Sequence, residues 1–185
     1  FQMGGALYPQ DGEISRILLR NSGHALSNAL RPTDAGVRWF REGLDTEFRK
    51  RNERLRDLAN AVANGEIECH FQPVVDLTTG QTAGFEALAR WRTGDEGLVP
   101  PDQFIGHAEE FGLISEIGED ILRRACHAAV KWQAGSVRTP FVAVNVSPIQ
   151  LDDPVFAVVV ARVLAESGLP PSRLELEITE NALSS

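Results

Sequence analysis

Four short segments place hydrogen-bonding or charged side chains at every second position. Glu68, His70 and Gln72 alternate with Ile67, Cys69 and Phe71, and Glu86, Leu88 and Arg90 follow Gly84 in the same rhythm. Asn145 follows Phe141 and Ala143, opposed by Val142, Val144 and Val146, while Glu175, Glu177 and Thr179 alternate with Leu174, Leu176 and Ile178. Successive side chains of a strand point to opposite faces, so the polar members of each segment share one face. Carboxylates buried without partners cost more than a fold can offset, so glutamates on inward faces require cationic partners or metal ions. Carboxylate and amide oxygens are hard donors, suited to Mg2+, Mn2+ or Ca2+ rather than to zinc. Half-exposed strands would simply turn the same faces to water. Four segments agreeing weighs against that.

The elements that must position these residues can be read from periodicity. Ile67–Val74 and Thr82–Arg90 read as strands joined by the short turn Asp76–Gly80, which predicts an antiparallel hairpin. A loop over Thr93–Pro101 leads to Asp102, expected to cap a helix at Gln103–Phe111. Apolar residues at Ile117, Ile121, Leu122, Ala125, Ala128, Ala129 and Trp132 predict a helix over Ile114–Trp132. Phe141–Val146 reads as a strand, Pro154–Ser167 as a helix and Leu174–Thr179 as a strand. This alternation implies a parallel sheet or barrel. Upstream, Phe48, Leu55, Leu58, Ala59 and Val62 form one helical stripe over residues 47–64, with Thr46 as N-cap and Gly65 as stop. Before it, a strand end at Gly4-Gly5 runs through a Pro-Asp-Gly turn into a helix from about Glu13 to Leu30, or into two shorter helices parted at Asn21-Ser22-Gly23, too little for a core of its own.

Composition excludes several classes. The chain has 185 residues, with 18 Lys and Arg against 26 Asp and Glu, a formal net charge of −8. Nonspecific nucleic-acid binding needs clustered basic residues, so no nucleic acid is expected as partner. A small phosphorylated ligand is compatible, because divalent cations can sit between phosphate and carboxylates. No apolar run approaches the roughly 20 residues of a membrane span. Cys69 and Cys126 make neither a disulfide framework nor a CxxC pair, so reduced thiols and a cytoplasmic location are expected. The opening Phe1-Gln2-Met3-Gly4-Gly5 has no signal-peptide features and reads as a cut within something larger.

The same residues carry a family resemblance. Phe71-Gln72-Pro73-Val74-Val75-Asp76, Gly84 through Trp91, Pro100 through Ile105, Ala108-Glu109, Gly112-Leu113-Ile114, Asn145-Val146-Ser147 and Glu177-Ile178-Thr179-Glu180 together resemble an EAL domain. The resemblance covers residues 66–185 and implies the N-terminal half of a modified TIM (β/α)8 barrel with an antiparallel first strand. It implies hydrolysis of the bacterial second messenger cyclic di-GMP to linear pGpG, using Mg2+ or Mn2+ and inhibited by Ca2+. By position, Glu86, Asn145 and Glu177 would be metal ligands, with Glu86 also counted as catalytic. Gln72 and Arg90 would contact the dinucleotide, Arg90 at a phosphate, and Leu88 would shape the site beside them. Glu180 would anchor a loop that supports a homodimer. His70, His107 and His127 match no catalytic position and read as structural.

Residues 1–46 resemble the end of a GGDEF domain, the diguanylate cyclase fold, on the Gly4–Gly12 turn, Leu18-Leu19-Arg20 and Ala25-Leu26. Gln2 and Leu30-Arg31-Pro32 depart from that pattern. The expected organisation is therefore a GGDEF-like remnant at 1–46, a linker helix at 47–65 and a truncated EAL-like domain at 66–185. A complete barrel takes roughly 250 residues, so the parent protein is expected to be the phosphodiesterase and this stretch alone to be inactive. The alternative is a non-catalytic cyclic di-GMP receptor signalling through the 47–64 helix. A glycosidase using Glu86 and Glu177 as its carboxylate pair would leave Asn145, Gln72 and Arg90 unexplained.

Overall fold

The computed structural model describes residues 2–28, 36–41, 44–94, 97–132 and 139–178, and the chain divides into two compact units, Phe1–Arg56 and Asp57–Ser185. In the first unit β1 (Gln2–Gly5) leads through α1 (Ser15–Asn28) to β2 (Gly36–Trp39), which pairs with β1 in parallel from Gln2–Gly36 to Gly5–Trp39. The helix lies directly on the strand backbone: a Cβ at Gly4 would overlap the Ser22 carbonyl and Leu26. Asp11 organises the intervening turn, accepting Leu7 N at 2.6 Å on its carboxylate and the Asn21 amide at 2.6 Å on its carbonyl. The second strand was not expected from the sequence.

α2 (Leu44–Ala63) begins before the expected start, so Thr46 lies inside the helix rather than at its cap. Gly65 does end it, with φ +71°. The Gly65 and Glu66 amides return to the carbonyls of Val62 (3.2 Å) and Ala61 (2.8 Å), the pairing of a Schellman stop.

The second unit is an α/β structure on a mixed sheet. β3 (Ile67–Val75) pairs antiparallel with β4 (Thr82–Thr93), as the hairpin reading predicts, and β6 (Phe141–Val146) and β7 (Leu174–Ile178) follow in parallel, giving the order β3-β4-β6-β7. Within the expected loop, β5 (Gly97–Val99) turns back onto Trp91–Thr93 of β4. The β4–β6 ladder runs from Gly84–Phe141 to Ala87–Val144, and farther along β4 takes β5 as a partner. Asp102 is not a helix cap. It sits in a 3-10 turn at Pro101–Gln103, and α3 (Ile105–Glu110) starts after Phe104 without a side-chain cap. The consecutive prolines Pro100 and Pro101 preset φ and start the turn earlier than capping chemistry alone would.

α4 (Ile114–Lys131) is the main cover of the sheet, burying Ile114, Ile117, Ile121, Leu122, Ala125, Cys126 and Ala129. A one-turn α5 (Pro148–Leu151) follows β6, and α6 (Phe156–Ser167) starts two residues later than expected, after Asp153 has accepted Val155 N at 2.9 Å. The core joins the apolar strand face (Ile67, Ala87, Val142, Val144) to α4, to Val163 of α6 and to Leu58 and Ala61 of α2. Each Val, Leu or Ile among them contributes about 1.5–3 kcal/mol on full burial. The helices therefore cover the apolar face. The opposite face carries the polar residues singled out above. On β7, Leu176 and Ile178 remain exposed.

Candidate functional site

Strand register gathers the polar residues. Gln72 of β3 lies opposite Glu86 of β4, which in turn lies opposite Ala143 of β6. One step farther along the same face, Asn145 lies opposite Glu177 of β7. Ala143 is fully buried and small, which leaves the room above it to its larger neighbours. The Asn145 amide Nδ2 donates to Glu86 Oε1 at 2.7 Å. The Glu177 carboxyl is raised above the ordinary carboxylate range, first by partial desolvation and then by the negative charges of Glu86 and Glu175.

Two mutually repelling carboxylates, one of them bonded by the Asn145 amide, form a site short of positive charge. Among the described residues, no group of three or more His, Cys, Asp or Glu side chains converges, so the oxygen set is Glu86, Glu177 and the Asn145 carbonyl. Every donor in it is a hard oxygen, and the repulsion that adds to desolvation in raising Glu177 is what a divalent cation would relieve. The residues present therefore fit Mg2+ or Mn2+. With Nδ2 directed to Glu86, the Asn145 carbonyl oxygen is the amide atom left to face a cation.

Leu88 and Arg90 continue along β4 on the same face, both half-buried, and Gln72 is exposed. Arg90 donates from Nη1 to the Ala89 carbonyl at 2.8 Å. The structure thus brings Gln72, Glu86, Leu88, Arg90, Asn145 and Glu177 to one face of one sheet. Thr179 and Glu180 lie outside the described residues.

One cluster escaped the sequence reading. Glu68, opposite Arg90 in register, accepts Arg92 on both carboxylate oxygens, at 2.9 Å from Nη2, and meets His70 Nε2 at 2.9 Å. These bonds, Arg92 first, hold its carboxyl down to about 2. Arg92 is thereby neutralised in place, whereas the described bond of Arg90 goes to a neutral carbonyl. The alternation of 67–72 did put Glu68 and His70 on the site's face; their partner Arg92 is set by the hairpin.

Cavities border this unit. One of about 330 Å3 is lined by Leu88, Asn145, Ser147, Glu109 and Gln150 together with apolar α3 and α4 residues. A larger groove, about 630 Å3, runs along α4 and α6 past Glu116, Glu119 and Arg123, and none of the residues singled out for chemistry lines it. Of the candidate residues, Leu88 and Asn145 line the smaller one.

Comparison with known proteins gives the family and the fold. The family model described as EAL domain matches residues 55–185. An uncharacterized signaling protein of Caulobacter vibrioides is 42% identical over 181 residues, covering 98% of this chain and 22% of its own length. In Pseudomonas aeruginosa, the cyclic di-GMP phosphodiesterase NbdA is 34% identical over 98% of this chain and 23% of its own. The bifunctional diguanylate cyclase/cyclic di-GMP phosphodiesterase MucR, from the same organism, is 34% identical over 97% of this chain and 26% of its own. The chain thus spans about a quarter of these relatives' length. The solved MucR phosphodiesterase in complex with c-di-GMP superposes with a TM-score of 0.67 at 36% identity, covering 71% of this chain and 53% of that one. The cGMP-bound EAL enzyme Bd1971 shares the fold, with a TM-score of 0.68 at 23% identity over 76% of this chain and 40% of that one. The mixed sheet, the shared polar face and the match over most of the chain lead to one conclusion: this chain belongs to the EAL domain family.

Proposed function

We propose that this chain supplies part of the site with which a longer bacterial protein hydrolyses cyclic di-GMP to linear pGpG. The observation that carries the reading is the approach of Glu86, Asn145 and Glu177 from three separate strands, with Asn145 Nδ2 at 2.7 Å from Glu86. The phosphodiesterases NbdA and MucR support it as relatives, and so does the MucR structure with c-di-GMP bound.

In this reading Glu86, Asn145 and Glu177 hold Mg2+ or Mn2+. Bound there, a divalent metal would supply charge to neutralise the phosphodiester and would lower the pKa of a water. Ca2+ inhibits because it prefers more ligands at longer distances. Arg90, whose charge no carboxylate takes up among the described residues, orients a phosphate oxygen. Gln72, across the ladder from Glu86, bonds the dinucleotide, and Leu88 packs beside it. Glu180 anchors a loop that supports a homodimer. Residues 1–46 belong to a GGDEF-like domain, a reading that the bifunctional MucR supports by matching across 97% of the chain. The protein acts in the cytoplasm.

Residues 1–185 alone are proposed to be inactive, because a complete barrel takes roughly 250 residues. The test is cyclic di-GMP hydrolysis by the longer protein and by residues 1–185, with Mg2+, Mn2+ or Ca2+, beside Glu86→Ala. Turnover by the longer protein with Mg2+ or Mn2+, abolished in Glu86→Ala, is expected. Activity that survives Glu86→Ala overturns the ligand assignment, and binding without turnover by the longer protein supports a receptor instead.

A further inference from the structure

The β4–β6 ladder ends at Ala87–Val144, one residue short of Asn145. Asn145 is therefore held by β7 on one side, through its pairing with Glu177, while on the β4 side the backbone ladder has ended. What continues the tie on that side lies just beyond the strand. Ser147 Oγ donates to Glu109 Oε1 of α3 at 2.6 Å, and Ser147 N donates to Gln150 Oε1 at 3.2 Å. The same hydroxyl accepts Ile149 N at 3.3 Å, closing a capping box on α5. Ser147 and Gln150 are both nearly buried, at 8% and 5% exposure. Gln150 in turn lies against Gly118 of α4 so closely that a Cβ there would overlap its amide. Glu109, Gly118, Asn145, Ser147 and Gln150 all line the cavity of about 330 Å3.

A carboxylate accepting a hydroxyl at this distance makes a charge-assisted bond, stronger and more directional than a neutral one. Glu109 follows β4 in the chain and Ser147 follows β6. Their bond thus ties the residue just past β6, which carries Asn145, to α3, which borders the same cavity as Ala87, Leu88 and Ala89 of β4.

We infer that Glu109 and Ser147 form a positioning clamp that sets the end of β6 and so keeps the Asn145 amide on Glu86, with Gln150 seated on Gly118 as its backing. Neither residue touches the cation or the nucleotide; both act through Asn145. The inference rests on the reading of Asn145 as a cation ligand.

The test measures Mn2+ affinity of the full chain by calorimetry and the Asn145 side-chain amide resonances in the metal-free protein. Ser147→Ala and Glu109→Leu are expected to weaken Mn2+ binding roughly 10- to 100-fold, the effect usual for groups that orient a ligand, and to move the Asn145 amide resonances toward solvent-exposed values. Ser147→Thr keeps the hydroxyl and Glu109→Gln keeps the acceptor, so both should bind Mn2+ far more nearly as wild type does. Should Ser147→Ala fail to fold, the comparison of Glu109→Leu with Glu109→Gln decides. Wild-type affinity and an unmoved Asn145 resonance in Glu109→Leu overturn the clamp, as does equal damage from Glu109→Gln. If the wild-type chain binds no Mn2+, the cation reading fails, while the Asn145 resonance still reports on the clamp.

Discussion

Asn145 and Glu86 stand 59 residues apart in the chain and 2.7 Å apart in the fold, amide nitrogen to carboxylate oxygen. The bond has two consequences. It sets the Asn145 amide on Glu86, on the strand between those of Glu86 and Glu177, where desolvation and then like charges raise the Glu177 carboxyl, and it engages the amide nitrogen while leaving the carbonyl oxygen out of that bond.

Asn145→Asp follows directly from that geometry. The substitution removes the Nδ2 donor and sets a third carboxylate beside the first two. Metal-free protein should lose about 1 kcal/mol from the bond alone, and added Mn2+ should restore stability by at least as much as it adds to wild type. Urea unfolding with and without Mn2+ measures both. Equal metal-free stability of the two proteins contradicts the prediction.

Glu68 offers a pH test independent of any metal. Its folded carboxyl is held at about 2 by Arg92 and His70, against roughly 4.3 in an unfolded chain. A depressed carboxylate stabilises the fold above the unfolded value and loses that contribution as pH falls through the folded one. The urea midpoint of wild type should thus exceed that of Glu68→Gln at pH 7, and the gap should close between about pH 4.3 and pH 2. Because the pair is exposed, added salt should narrow the gap at neutral pH. A gap unchanged from pH 7 to pH 2 would refute the assignment.

The polar faces were legible because strand periodicity is local: 67–72, 84–90 and 141–146 each show it without help from the rest of the chain. Phe141–Val146 has the same ends in structure as in the sequence reading. What escaped the reading depends on distant partners. β5 has three residues, too few to show a period, and exists because Trp91–Thr93 offer it an edge. Arg92 reaches Glu68 across 24 residues only once the hairpin register is known. Ser147 and Glu109, 38 residues apart, stand in recognisable motifs, yet nothing in either motif says that they meet. Asp102 failed as a cap for a local reason: capping propensity competed with two prolines that had already fixed the turn.

Gly84 tests the packing beneath the site. A Cβ at this buried position would come within 2.6 Å of the Phe141 ring on the neighbouring strand. Gly84→Ala should therefore cost about 1–3 kcal/mol, the range for overpacking, readable as a lower urea midpoint. Removing the obstructing ring should relieve part of that cost, so Gly84→Ala in a Phe141→Ala background should be less damaging than in wild type. Additive effects would show that the ring is not what Gly84 accommodates.

The two thiols test how the covered side of the sheet is sealed. Burial pushes Cys69 up to about 12 and Cys126 to about 11, so at pH 8 the thiolate fractions are on the order of one in ten thousand and one in a thousand. An alkylating reagent should label native protein far more slowly than urea-unfolded protein. The two sites should then part company. Cys69 is partly exposed, so its rate should rise about tenfold for each pH unit toward 10 as thiolate accumulates. Cys126 has no exposed surface, so its labelling waits for local opening and should track stability rather than pH alone. Mass spectrometry of peptides carrying each cysteine separates the two, and labelling of Cys126 in native protein at the unfolded-chain rate would show that α4 does not seal this layer.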